Sequence, residues 1–154
     1  MYSVLLVLHS FCRWLLFLAL LMAIYKGFRG WLGNKPFGRG DNRLRHTTAT
    51  IAHIQLVLGY ILYFNSPFIR YFRQHYKEAI MQFDYVFFGM IHIALMTIAV
   101  VLVTAGSSIA KRKGTPRGQF RAMACWFLAA FLLILMAIPW PFSPLSQRPY
   151  FRML

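Results

Sequence analysis

Tyr2-Ser3-Val4-Leu5-Leu6-Val7-Leu8-His9-Ser10-Phe11-Cys12-Arg13-Trp14 opens an apolar run that continues to Tyr25, interrupted only by His9 and Arg13 among strongly polar residues. An α-helix rises about 1.5 Å per residue, so roughly twenty apolar residues cross a hydrocarbon core of about 30 Å. The stretch therefore reads as a membrane-spanning helix. A soluble core is a poor alternative, because 154 residues enclose no interior large enough for a helix that is apolar on every face. An ionisable side chain inside such a helix costs a few kcal/mol on insertion scales, about 3 at the centre, and ordinarily faces protein rather than lipid. His9 and Arg13 are four residues apart, which puts them on one face with Arg13 about 6 Å further along the axis. One ligand or one partner helix can meet both.

Composition agrees with that local reading: 59% of the residues are hydrophobic, 18% aromatic and only 13% charged. The formal charge of +14 arises from short basic clusters between apolar runs, the pattern of membrane-flanking cations. No basic helix or aromatic RNA-binding motif accompanies the charge, so nucleic acid is excluded as a partner. Cys12 and Cys125 are too few for a disulfide framework, and neither lies in C-x-x-C or C-x-x-C-H, which excludes covalently attached c-type haem. The first apolar run lacks the positive leading region and small-residue cleavage site of a signal peptide, and is expected to be retained.

Along the chain the expected helices are about 2–26, 44–64, 83–109 and 121–138, in a single transmembrane domain spanning 1–154. Lys26 to His46 reads as a basic, glycine-rich loop, with Asp41-Asn42 as a cap for the second helix. Asn65-Ser66-Pro67 stops that helix. Residues 68–80 mix aromatics with Arg70, Arg73 and Lys77 and read as a segment lying in the membrane interface. The fourth helix is expected to stop at Pro139-Trp140-Pro141-Phe142, with the tryptophan at the headgroups. The loop after the first helix carries six Lys and Arg and the loop after the third carries five, against three after the second helix and two in the tail. The fold predicted is all-α: an integral membrane four-helix up-and-down bundle, lipid-embedded, with both termini on the outer side.

Of the five histidines, His46 and His75 fall in loop or interfacial sequence, and His9, His53 and His92 fall inside the first three spans. His9 and His92 lie at a common depth of roughly 10 to 14 Å from the outer side, and His53 nearer the middle at about 16 Å. Two imidazoles on diagonal helices of a bundle suit the two axial positions of haem iron, and Gly89 and Ala99 leave a narrow face for a macrocycle. Arg13 then pairs with a propionate or a quinone oxygen. Three imidazoles also suit copper or zinc, and midplane histidines suit a proton relay, though neither comes with a carboxylate partner. The bland alternative is that each histidine bonds a neighbouring helix, through Thr50, Gln55 or Thr97. Met96, one turn beyond His92, is a weaker axial candidate and Met90 points elsewhere. Hydrolytic motifs and phosphate-cradling glycine loops are absent from the sequence.

With these residues in view the chain resembles a family of small bacterial four-helix membrane proteins of the cytochrome b or cytochrome b561-like type. The resemblance rests on His9-Ser10 with Arg13-Trp14, on His53-Ile54-Gln55 with Leu58-Gly59-Tyr60-Ile61-Leu62-Tyr63, on His92 in the third span, and on Ile138-Pro139-Trp140-Pro141-Phe142. Where the family pattern has Glu-His-Pro this chain has Ile91-His92-Ile93, which leaves no carboxylate opposite Arg13. The resemblance implies a multi-pass protein of the bacterial inner membrane, with haem b held noncovalently between histidines and electrons exchanged with quinol or another redox subunit. His9 and His92 are the expected axial pair, with His53 as a third ligand candidate or hydrogen-bonding neighbour and Arg13 as an anion partner. The chain would act as an electron carrier rather than a stand-alone enzyme, alone, as a homo-oligomer or in a larger complex. The rival expectation is a non-catalytic accessory subunit whose histidines are interhelical contacts.

Overall fold

A computed structural model of the chain describes residues 2–139, and every regular element among them is helical. The expected tryptophan anchor and the last two residues of the Pro139-Trp140-Pro141-Phe142 stop lie outside the described residues. The described residues form six helices: α1 (Tyr2–Leu32), α2 (Arg39–Asn65), α3 (Pro67–Gln74), α4 (Tyr76–Ala79), α5 (Phe83–Arg112) and α6 (Pro116–Ala137). Four of them, α1, α2, α5 and α6, are long and apolar enough to cross a membrane. Many of their large apolar side chains point away from the protein, among them Phe11 at 67%, Leu18 at 61% and Met136 at 68% exposure, as expected of helices solvated by lipid.

The first two spans are longer than the sequence implies: α1 because Gly27 and Gly30 are contact surface rather than breakers, and α2 because its cap at Gly38 and Asp41 lies ahead of its apolar part. A Cβ on Gly27 would lie 2.9 Å from the Ala124 Cβ, and Gly30 faces the ring of Phe120, so α1 continues helical along α6 to Leu32. Small residues that let backbones approach are how membrane helices associate in the absence of a hydrophobic drive. Asn34, at φ 46°, then turns the chain, and the Lys35 N–H reaches back to the Gly30 carbonyl at 3.1 Å, closing the helix in the left-handed manner that asparagine tolerates. Asp41 serves the next start as expected: its Oδ2 accepts from the Gly38 N–H at 3.0 Å, with α2 beginning at Arg39. Ser66 separates α2 from α3, accepting from the Ile69 N–H at 3.4 Å, and Pro67 occupies the first helical position, where its missing N–H costs nothing. Thr115 and Pro116 repeat that arrangement at the start of α6.

Each of α1 and α5 packs against both α2 and α6, so α1 and α5 lie diagonally across the bundle. Hydrogen bonds fix the up-and-down order. At one end the Tyr2 hydroxyl donates to Ser66 Oγ at 3.2 Å, tying the start of α1 to the end of α2. At the other end Arg45, 5% exposed, donates through Nη1 to the Ser107 carbonyl at 2.8 Å and to the Ser107 hydroxyl, and through Nη2 to Asn42 Oδ1 at 2.8 Å. The core between is built of Leu20, Ala23, Ala52, Ala99, Val103, Met123 and Phe127, each inaccessible to solvent.

Candidate functional site

His92 owes its setting to an irregularity in α5. Residues Phe87–Ile91 form a π-helical turn in which the His92 N–H reaches five residues back, to the Phe87 carbonyl. Such wide turns hold one residue more than the regular helix and are common where a side chain has to be re-aimed. The Tyr63 hydroxyl donates to the Gly89 carbonyl in the same turn, at 2.9 Å. Beyond it the His92 Nδ1 lies 2.8 Å from the Ala137 carbonyl oxygen in the last turn of α6. A carbonyl only accepts, so the proton is on Nδ1 and Nε2 keeps its lone pair.

His9 is held from the other side. The Gln55 amide nitrogen donates to the His9 carbonyl at 3.1 Å and stands 3.3 Å from its Nε2. With Nε2 accepting that amide, the His9 proton belongs on Nδ1, which is buried without a protein partner, as is the Gln55 Oε1. Gly59 packs beside the ring, where an added Cβ would touch the imidazole Cε1 at 3.4 Å, an ordinary van der Waals contact. One turn along α1, the Arg13 Nη2 donates to Ser10 Oγ at 3.3 Å and the guanidinium lies 5.6 Å from the Trp14 ring centroid.

His9, Arg13, Gln55 and His92 line one cavity of about 240 Å³ between the four spans. Its inner floor is apolar, made by Leu16, Val100 and Ile134, and its mouth is formed by Tyr2, Tyr63 and Phe68. Met96 lines the wall one turn below His92, whereas Met90 is exposed. Thus the helices deliver His9 and His92 from diagonal positions to one chamber, with Arg13 beside them.

Other residues singled out in the sequence lie outside the cavity or are differently engaged. His53 is exposed on the outer side of α2, where its Nε2 pairs with the Thr104 hydroxyl at 3.1 Å, and it does not line the cavity. His53 and Gln55 are two residues apart and thus on opposed helix faces, so only one of them can look inward. Among the described residues no three His, Cys, Asp or Glu side chains come together as a metal site, and the three-imidazole copper or zinc arrangement is not formed. Gly89 leaves no space for a macrocycle, because the Phe72 ring fills that face: a Cβ would meet its Cδ1 at 2.6 Å. Ala99 is packed into the core. The Gln55 contact was among the sequence candidates, but the expected roles of Thr50 and Thr97 are taken differently. Thr50 donates to the His46 carbonyl, and Thr97 meets the Tyr60 hydroxyl at 3.0 Å. The Ala137 carbonyl carries no side-chain signature by which a sequence could reveal it.

No family model, no curated protein and no solved structure matches this chain.

Proposed function

We propose that the chain is a membrane-embedded b-type cytochrome, in which His9 and His92 would hold haem b in the central cavity. The observation that carries the reading is the His92 Nδ1 held by the Ala137 carbonyl, which orients the ring and leaves Nε2 with a lone pair toward a cavity that His9 lines from the diagonal helix. A backbone acceptor on the second ring nitrogen is the usual support of a metal-binding imidazole. The residues fit such a group in further respects. The walls are largely apolar, Arg13 offers a guanidinium to a carboxylate, and the buried His9 Nδ1 and Gln55 Oε1 want polar partners that the protein does not give them. The cavity, at about 240 Å³, lies under the usual range of small-molecule sites of roughly 300–1,000 Å³, so holding a haem would require the surrounding helices to part. Coordination through the His9 Nε2 asks the Gln55 amide to turn aside.

Bound there, haem b supplies one-electron exchange. The protein's part is to fix two imidazoles, hold the carboxylates near Arg13 and keep water out with the apolar floor. Electrons come from quinol or a redox subunit in the membrane. The site has no carboxylate for proton-coupled chemistry. The lysine- and arginine-rich end, with Lys26, Arg29, Lys35, Lys111 and Arg112, faces the cytoplasm of a bacterial inner membrane by the positive-inside rule, and the end carrying Tyr2 and Ala137 faces outward.

A reduced-minus-oxidised visible spectrum of protein expressed with ample haem tests this directly. A sharp b-type α-band that disappears in His9→Ala and in His92→Ala, but survives in His53→Ala, supports the assignment; a featureless spectrum removes it. The second reading, an accessory subunit, draws on the contacts of Gln55 with His9 and of Ala137 with His92, which tie helices together without any cofactor. Copurification with a stoichiometric membrane partner from colourless preparations favours that reading.

A further inference from the structure

We propose that Arg70 and Arg73 form a headgroup site for an anionic phospholipid at the junction of α2 and α3, independently of any cofactor in the bundle. A second cavity of about 400 Å³ lies there, lined by Tyr63, Phe64, Ile69, Arg70, Arg73 and Gln74. Both guanidinium groups are exposed, and neither has a hydrogen-bond or ion-pair partner among the described residues. The chain has three acidic residues: Asp41 is engaged by Lys26 at 3.6 Å, and Glu78 and Asp84, which follow α3 at this end of the bundle, form no ion pair with either arginine. Two neighbouring arginines without a carboxylate make a site that lacks an anion.

The location selects the kind of anion. α3 turns Ile69 and Phe72 into the protein, at 5% and 4% exposure, and leaves Arg70 and Arg73 outside, directly after a helix that spans the membrane. On the opposite face of the same helix Phe68 stacks on Tyr85 at 4.0 Å and Tyr71 tilts against Tyr85 at 5.1 Å, the aromatic belt expected at headgroup depth. Phe64, in the last turn of α2, is 66% exposed and extends the cavity toward the acyl region. A phosphodiester between the arginines, with a glycerol hydroxyl on Gln74 and the first methylenes along Phe64, uses every part of this surface. A free phosphate would use the arginines and leave Phe64 bare.

The test is native mass spectrometry of the full chain released from bilayers of equal phosphatidylglycerol and phosphatidylcholine. Wild type is expected to retain phosphatidylglycerol preferentially. Arg70→Gln/Arg73→Gln should lower that preference about 25-fold, from roughly fivefold per cation near a lipid surface. Arg39→Gln/Arg43→Gln, the same change of charge at exposed positions at the other end of the bundle, should leave it intact. Melting temperatures in phosphatidylcholine alone should be equal for all three proteins, which separates lost lipid from lost fold. The proposal is overturned if the Arg70/Arg73 variant keeps the wild-type preference, if the control pair loses it equally, or if millimolar inorganic phosphate displaces the lipid.

Discussion

The imidazole of His92 and the carbonyl of Ala137 are joined at 2.8 Å, so a ring near the start of α5 is tied to the last turn of α6. The Ala137 oxygen is one of the end-of-helix acceptors that no backbone N–H reaches among the described residues. His92→Leu removes its donor. Interhelical bonds of this kind contribute about 0.6 kcal/mol on average and up to about 1.7 in membrane proteins. The cofactor-free variant should therefore unfold about 1 kcal/mol more easily in detergent titration, and an unchanged unfolding curve would show that the bond does not hold the bundle end.

Gln55 sets which nitrogen of His9 is free. Gln55→Leu removes the amide from the His9 Nε2 and from its carbonyl. Because coordination would use the Nε2 that this amide occupies, removing one hydrogen bond there, worth about 1 kcal/mol, should lower the haem concentration needed for half-saturation by about fivefold, measured by titration at the Soret band. Equal titration curves would mean that Gln55 does not organise the site.

Gly27 packs where no side chain fits. Gly27→Val should destabilise the protein by about 1–3 kcal/mol through overpacking against Ala124. Gly40, in the first turn of α2, has nothing within 4 Å of a built Cβ, and Gly40→Ala should be neutral or stabilise by about 0.4–1 kcal/mol. Thermal melts in one detergent compare the two, and the reverse ordering would contradict the packing described.

Arg45 reaches two elements at once. Ser107→Ala removes one acceptor but leaves the backbone carbonyl in place, whereas Arg45→Ala removes every bond between the cation, Asn42 and Ser107. Bonds to charged groups contribute about 1.5–3 kcal/mol net, so Arg45→Ala should cost about 2 kcal/mol and Ser107→Ala about half of that. A double-mutant cycle with coupling near zero would refute the clamp.

How far the sequence carried these conclusions depends on range. Hydropathy declares four spans because lipid imposes a length on each, and the spacing of His9 and Arg13 correctly places both on one inward face. Helix phase relative to the bundle is not local information. Nothing near His53 says that Gln55, two residues on, is the one turned toward α1. Likewise Gly27 and Gly30 read as breakers until Ala124 and Phe120, some ninety residues away in the chain, are seen to need their space, and Gly89 reads as room until Phe72 is seen to fill it.

The wide turn at Phe87–Ile91 makes α5 sensitive to its residue count. Deleting one residue there, such as the exposed Met90, would restore regular winding and swing everything upstream by about 100° around the axis. Tyr85 would leave Phe68, and the interfacial segment would lose its footing while the downstream half of the helix kept its register. The aim of His92 thus rests on a one-residue surplus, and lineages that shortened this turn would have had to find another way to seat the ring.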